Sequence, residues 1–355
     1  MTGPLLTMLP EPPPASLRLA IDKDALASNW AALDRLSGAA SAGAAVKADA
    51  YGVGAAQAVP VLRGAGCRDF LVAHWREAAN LADITDSNRL SVLHGPMTAH
   101  DVAYAHAMGI KPVINSPRQA RLWQEGGGGL CDVMIDTGIN RLGIAMQDLS
   151  DEMLRGLNID MLMSHLASAD EDSPLNDLQR NRWEEARAAL PHKRASLANS
   201  AGIVLGKGYH GDLTRPGLSL YGGIPRQELA GTIRQVIRPQ AAIMQVRIIE
   251  AGEGVGYNST FVARHSLRIG TIALGYADGY LRCWSGKGTV LANGQLLPVL
   301  GRVSMDMTVI DLTKAPAIGE GDWIEAEYSL PDASAASGLS QYELLTLMGR
   351  RFSRQ

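Results

Sequence analysis

The sequence predicts an α/β protein, an N-terminal TIM (β/α)8 barrel followed by a mostly β C-terminal domain. Eight short apolar runs recur between residues 44 and 222, with starts about 20 to 35 residues apart, room for a helix and two loops each. The runs are apolar throughout rather than alternating, which is how parallel strands buried on both faces read. After Arg234 the texture changes to short segments punctuated by glycine, as tandem antiparallel strands require.

In chain order, a strand and helix over 17–35 precede the barrel. Its strands are expected at 44–48, 69–73, 90–94, 111–115, 131–136, 160–165, 194–199 and 213–221. The stretches between them read as amphipathic helices: 75–81 holds Glu77 and Ala78, and 178–190 alternates charged and apolar residues. In the second domain, strands are expected at 241–249, 266–274, 288–292, 297–300, 308–312 and 322–326, with turns at Asn293-Gly294 and Gly319-Glu320-Gly321. A boundary near 224–236 gives a leader over 1–16, a barrel over 17–230 and a β domain over 231–355.

Composition narrows the function. At 355 residues and 46% hydrophobic content the chain fills a globular core. A net charge of -3 and a pI near 6.2 give no general attraction to nucleic acid or anionic lipid, so a small ligand is expected. The three cysteines are far apart and form no C-x-x-C pair, which fits a reducing cytosol. Residues 1–17 hold no Lys or Arg and carry Pro10-Glu11-Pro12-Pro13-Pro14, so they lack the pattern of a signal peptide and read as a flexible leader.

Catalytic groups of a TIM barrel sit where the strands run out at their carboxyl ends. The unusual polar residues fall there: Lys47 after Ala44-Ala45-Val46, His165 at the sixth run, Asn199 and Ser200 at the seventh, Arg215 and Gly217 in the eighth, and Arg141 after the fifth. A lysine held in a pocket loses its proton more easily and can form an imine with a carbonyl cofactor, and pyridoxal phosphate is the obvious candidate. The eight histidines form no H-E-x-x-H or H-x-H set, so no metal is expected. Gly252-Glu253-Gly254-Val255-Gly256 imitates a nucleotide loop, but no G-K-[ST] follows it.

The string Val46-Lys47-Ala48-Asp49-Ala50-Tyr51-Gly52-Val53 resembles the cofactor-lysine motif of alanine racemases, and the resemblance extends over about residues 17–312. Met163-Ser164-His165 is similar to the family segment whose histidine packs beside the pyridoxal ring. Leu197-Ala198-Asn199-Ser200 resembles its phosphate-binding segment. Arg215-Pro216-Gly217-Leu218-Ser219-Leu220-Tyr221-Gly222 resembles the segment whose arginine faces the pyridine nitrogen and whose backbone amides, here of Gly217 and Leu218, hold the phosphate. Tyr51 is implied to hold that phosphate from the other side, and Tyr221 is counted with the cofactor residues. In the second domain, the segment from Gly256-Tyr257 resembles the one carrying the catalytic tyrosine. Gly275-Tyr276-Ala277-Asp278 resembles a substrate-access segment, and Ser304-Met305-Asp306 a stretch that helps bind substrate carboxylate.

The resemblance implies a PLP-dependent interconversion of L- and D-alanine, for peptidoglycan supply or alanine catabolism, in a cytoplasmic homodimer. Lys47 would hold the cofactor and serve the D face; Tyr257, donated by the partner subunit, would serve the L face; Arg141 and the Met305 backbone would engage the carboxylate. Two departures stand out. Met134 occupies the place, seven residues before the arginine, where family members often carry a carbamylated lysine, and 349–354 only loosely matches the family's ending, where some members place a tyrosine near the active site. Other readings are a racemase of serine or lysine, a decarboxylase on a related architecture, or a non-catalytic PLP-binding protein. Arg215 speaks against the decarboxylase, and the long second domain against the binding protein.

Overall fold

The computed structural model describes residues 13–355. The expected flexible leader falls for the most part on residues 1–12, which lie outside the described residues. The chain divides into two compact units, one of Ile21–Ile237 with Tyr328–Met348, the other of the segment up to Ala20 with Arg238–Glu327 and Gly349–Gln355.

The first unit is the barrel. Seven strands lie side by side in chain order, all parallel: Ala44–Ala45, Phe70–Val72, Leu90–Val92, Lys111–Ile114, Leu130–Asp136, Asn158–Met163 and Arg194–Ser196. The eighth, Leu213–Thr214, pairs in parallel with Ser41–Ala42, just ahead of the first. The amides of Asp212 and Arg215 donate to the carbonyls of Ala195 and Ala198 at 2.7 and 2.8 Å, which closes the ring against the seventh strand. Each expected strand is present, although the first stops at Ala45 and the eighth at Thr214. Leu71, Val113, Met134, Met161, Met163 and Leu213 form one cluster drawn from five strands. Burying each such side chain contributes about 1.5–3 kcal/mol.

Charged residues near the amino ends of the strands are paired rather than free. Lys111, 3% exposed, lies 2.6 Å from Asp160 and 3.3 Å from the fully buried Asp132. Arg194 bridges Asp160 and Asp69 at 2.8 and 2.9 Å. A buried ion left without its partner is costly, so this network ties the strand starts together and belongs to stability.

The second unit is an antiparallel domain. Its strands include Ile237–Ile249, Leu267–Ile272, Thr289–Ala292, Gln295–Leu300, Thr308–Asp311 and Trp323–Ala326, close to the expected segments. Asn293 and Gly294 both take positive φ, 47° and 78°, the backbone that a two-residue hairpin loop needs.

Two segments differ from the expected division. Leu17–Ile21 does not open the barrel but lies in the sheet of the second unit, between Ile237–Ile249 and Ser353–Arg354. Its buried Leu17, Leu19 and Ile21 alternate with half-buried Arg18 and Ala20, the pattern of a strand with one face in a core. Residues 328–348 are not part of the β domain. They form helices Leu330–Ser337 and Gln341–Thr346 in the barrel unit, where the Gln235 side chain donates to the carbonyl of Tyr328 at 3.2 Å.

Candidate active site

The chain after Ala44–Ala45 does not continue as a strand. Ala48, Asp49, Ala50 and Tyr51 take φ of 52°, 53°, 54° and 56°, a full left-handed turn built without glycine. Left-handed backbone costs an L-residue roughly 1–2 kcal/mol, so this turn persists only because its surroundings hold it. The Ala50 amide donates to the Val46 carbonyl and the Gly52 amide to the Ala48 carbonyl, both at 2.9 Å. The Asp49 carboxylate accepts from the Ala55 amide, and the Glu77 carboxylate from the Ala48 amide, both at 2.7 Å. At Gly52 a Cβ would collide with the Leu345 carbonyl of the C-terminal helix, which fits this turn only because glycine is there.

The turn presents Lys47 and Tyr51 to a cavity of about 550 Å³ at the carboxyl ends of the strands, a volume suited to a cofactor-sized ligand. Arg141, His165, Asn199, Ser200, Arg215, Gly217 and Leu218 line the same cavity. Nine of the residues singled out in the sequence are thus brought together from five different strand ends.

The electrostatics suit carbonyl chemistry. Burial, reinforced by Arg141 and Arg215 and opposed by Glu77, lowers the pKa of the Lys47 amine, which favours the neutral nucleophile. Arg215 is buried, and its guanidinium donates to the Ser196 hydroxyl and to the carbonyls of Ser164 and Leu197. Burial pulls it down to about 10, so it stays a cation at neutral pH. Burial, with Arg215, Arg141 and Lys47 nearby, pushes His165 down to about 3 and keeps its ring neutral. The Gln179 side chain fixes this strand end, donating to the His165 carbonyl at 3.0 Å and accepting from the Ala167 amide at 2.8 Å.

The segments expected to hold a phosphate also meet in the cavity. The Ser200 hydroxyl accepts from the amides of Gly217 and Ser219 at 3.0 and 3.2 Å, which gathers a hydroxyl and several amides at one point. The Tyr51 hydroxyl lies where a Cβ of residue 217 would be, so Gly217 is needed for this approach. Burial raises the pKa of the Tyr51 phenol, which remains a neutral donor. Asn199 caps the following turn, accepting from the Gly202 amide at 2.8 Å.

Tyr221 departs from its expected part. Fully buried, it donates to the Ala45 carbonyl at 2.9 Å and packs against Tyr51 with ring centroids 5.1 Å apart and planes tilted by 32°, so it braces Tyr51 and does not line the cavity. Arg141 is set by Asp136, whose carboxylate accepts from the amides of Gly138, Asn140 and Arg141 at 2.9–3.1 Å. Met134 lines the cavity but belongs to the apolar cluster of the barrel, and among the described residues no carboxylate pairs with the Arg141 side chain.

The sequence reading missed Tyr342. It projects from Gln341–Thr346 into the cavity with its ring 6.2 Å from that of Tyr51. An aromatic ring near the candidate site thus comes from 342 and not from 349–354. A signal was present, since Ser340 followed by Glu343 is a capping box that starts a helix there.

The other singled-out residues lie in the second unit. Tyr257 is 67% exposed on a short turn. The Tyr276 and Ala277 amides donate to the carbonyls of Ser304 and Met305, both at 3.0 Å, which brings Tyr276, Met305 and Asp306 together. Arg351 locks them, bridging Asp278 and Asp306 at 2.7 Å each. Asp306, expected beside substrate, is therefore engaged in an ion pair, and a carboxylate is electrostatically unsuited to hold another carboxylate.

A barrel that gathers a half-buried lysine, a neutral histidine, a buried arginine and a serine hydroxyl at the carboxyl ends of its strands fits the class of pyridoxal phosphate enzymes. The chain belongs to the alanine racemase family: residues 21–225 match the model of the alanine racemase N-terminal domain and 236–355 that of the C-terminal domain. It is 40% identical to a biosynthetic alanine racemase and 39% identical to a catabolic one, both of Agrobacterium fabrum (strain C58 / ATCC 33970), over 96% of this chain and 94% and 92% of theirs. Among solved structures it is similar to alanine racemase from Bartonella henselae with covalently bound pyridoxal phosphate, at 33% identity and a TM-score of 0.88, over 96% of this chain and 99% of that one.

Proposed function

We propose that this isomerase interconverts L- and D-alanine with two bases, Lys47 on the D face and Tyr257 on the L face. The observation that carries the reading is the shared cavity of Lys47, with its lowered pKa, and the buried cation Arg215. When bound, pyridoxal phosphate supplies an electron sink for the charge left at Cα as its proton departs.

The chain's own residues do the rest. Ser200, Tyr51 and the amides of Gly217 and Leu218 would hold the phosphate, with Tyr342 beside them. His165, which lines the cavity with a neutral ring, would pack against the cofactor. Arg141, which lines the cavity, would take the substrate carboxylate by charge-assisted hydrogen bonds. Lys47, neutral as its environment favours, moves the α-proton on one face. Tyr257 does so on the other, contributed by the partner subunit of a homodimer, for which its exposure leaves it available. No helix among the described residues is long and apolar enough to cross a membrane, and a cytoplasmic location fits the three free cysteines.

Arg215 selects the reaction. A guanidinium only donates, so with the cofactor bound Arg215 would disfavour a protonated pyridine nitrogen, which would weaken the sink and favour return of the proton to Cα over transamination. Arg215→Glu should slow racemisation by about tenfold or more and raise the share of turnovers ending in pyruvate. Arg215→Gln, which brings no charge among the carbonyls of Ser164 and Leu197, serves as the control for folding. Slower racemisation without any change in that partition contradicts the role.

The direct test is chiral chromatography of L-alanine incubated with the holoenzyme, beside serine and lysine. Appearance of D-alanine up to an equal mixture supports the proposal. Turnover of serine or lysine in preference to alanine, or of none, overturns it. The near-equal identities to biosynthetic and catabolic relatives leave the metabolic role to be read from expression.

A further inference from the structure

Glu77 is the third residue of the short helix Trp75–Ala79, and a glutamate there ordinarily accepts from the amide at the helix start. Its carboxylate does so, from His74 at 3.2 Å, but it also accepts from Ala73 and from Ala48 at 2.7 Å each. The Ala48 contact spans 29 positions of sequence and has no part in capping. Ala48 is the first left-handed residue after Lys47, and both Lys47 and Ala73 line the cavity. A single carboxylate therefore spans the mouth of the first two strands and holds the strained turn by its leading amide.

We propose that Glu77 is a positioning residue, a clamp that fixes the left-handed turn and through it sets Lys47 and Tyr51 toward the cofactor. The inference rests on the reading that Lys47 holds pyridoxal phosphate, and it adds a residue to which that reading gives no role. The clamp has an electrostatic side too. Glu77 favours protonated Lys47, against burial, Arg141 and Arg215, so its loss should move the amine's titration to lower pH.

The test compares the full-length chain with Glu77→Gln, Glu77→Asp and Glu77→Ala. Hydrogen exchange of the cofactor-free protein should be faster by about tenfold or more in the peptide spanning 46–54 in Glu77→Gln and Glu77→Ala, with the barrel's other peptides unchanged. Pyridoxal phosphate titrated into the same proteins should bind about tenfold more weakly, and the pH midpoint of its uptake should fall. Glu77→Asp, with the charge but not the reach, should keep the midpoint and lose the exchange protection. Exchange at wild-type rate in 46–54, or equally faster exchange throughout the barrel, overturns the clamp. Exchange is read without cofactor, so it stands apart from the Lys47 assignment, which fails separately if borohydride reduction of the wild-type holoenzyme labels another lysine.

Discussion

Lys47→Ala loses racemisation in both directions, by about a thousandfold or more, because one side chain supplies both the covalent hold on the cofactor and a base. Peptide mapping after borohydride reduction should place the cofactor on Lys47 in the wild-type protein and nowhere in the variant. The fold should survive. Lys47 is half-buried at a cavity rim and outside the barrel's ion network, so thermal unfolding of the two cofactor-free proteins should differ little. A variant that keeps racemising, or a label on a different lysine, contradicts the site.

The same residue shows what was legible in the sequence. Lys47 stands out because an apolar run leads into it, and burial on both faces makes each barrel strand such a run. His165, Asn199 and Ser200 are legible for the same reason, as polar residues that end apolar runs, and Arg215 as a charge inside one. The conformation of the turn after Lys47 is not legible. Ala48 and Ala50 carry no local preference for left-handed backbone and Asp49 only a weak one, so contacts from Glu77, the Asp49 carboxylate and the helix over Gly52 are needed to hold it.

Long-range packing hid the rest. Tyr342 reaches the cavity from almost 300 residues beyond Tyr51, and no local pattern encodes that neighbour. Leu17–Ile21 alternates in burial as an antiparallel-sheet strand does, but five residues ahead of a helix read equally well as the start of a barrel. Asp306 and Arg351 meet only once the chain end returns to the second unit. Tyr221, one turn after Gly217, belongs by sequence to the phosphate segment, but its hydroxyl donates to the Ala45 carbonyl.

Tyr257→Phe is the second large effect, a loss of about a hundredfold or more in both directions if the phenol contributes as general acid/base groups usually do. Steady-state rates cannot tell which base was removed. L- and D-alanine have equal free energies, so kcat/KM in the two directions must match for any variant. Proton exchange can tell, since each base acts on one face only.

The most direct test of the two-base account is therefore mass spectrometry of alanine enantiomers separated at low conversion, after incubation with the Tyr257→Phe holoenzyme in deuterated water. The account predicts that D-alanine still gains deuterium at Cα through Lys47 while recovered L-alanine gains almost none. Equal incorporation into both would show that Tyr257 is not the L-face base and that one base, or a water, serves both faces.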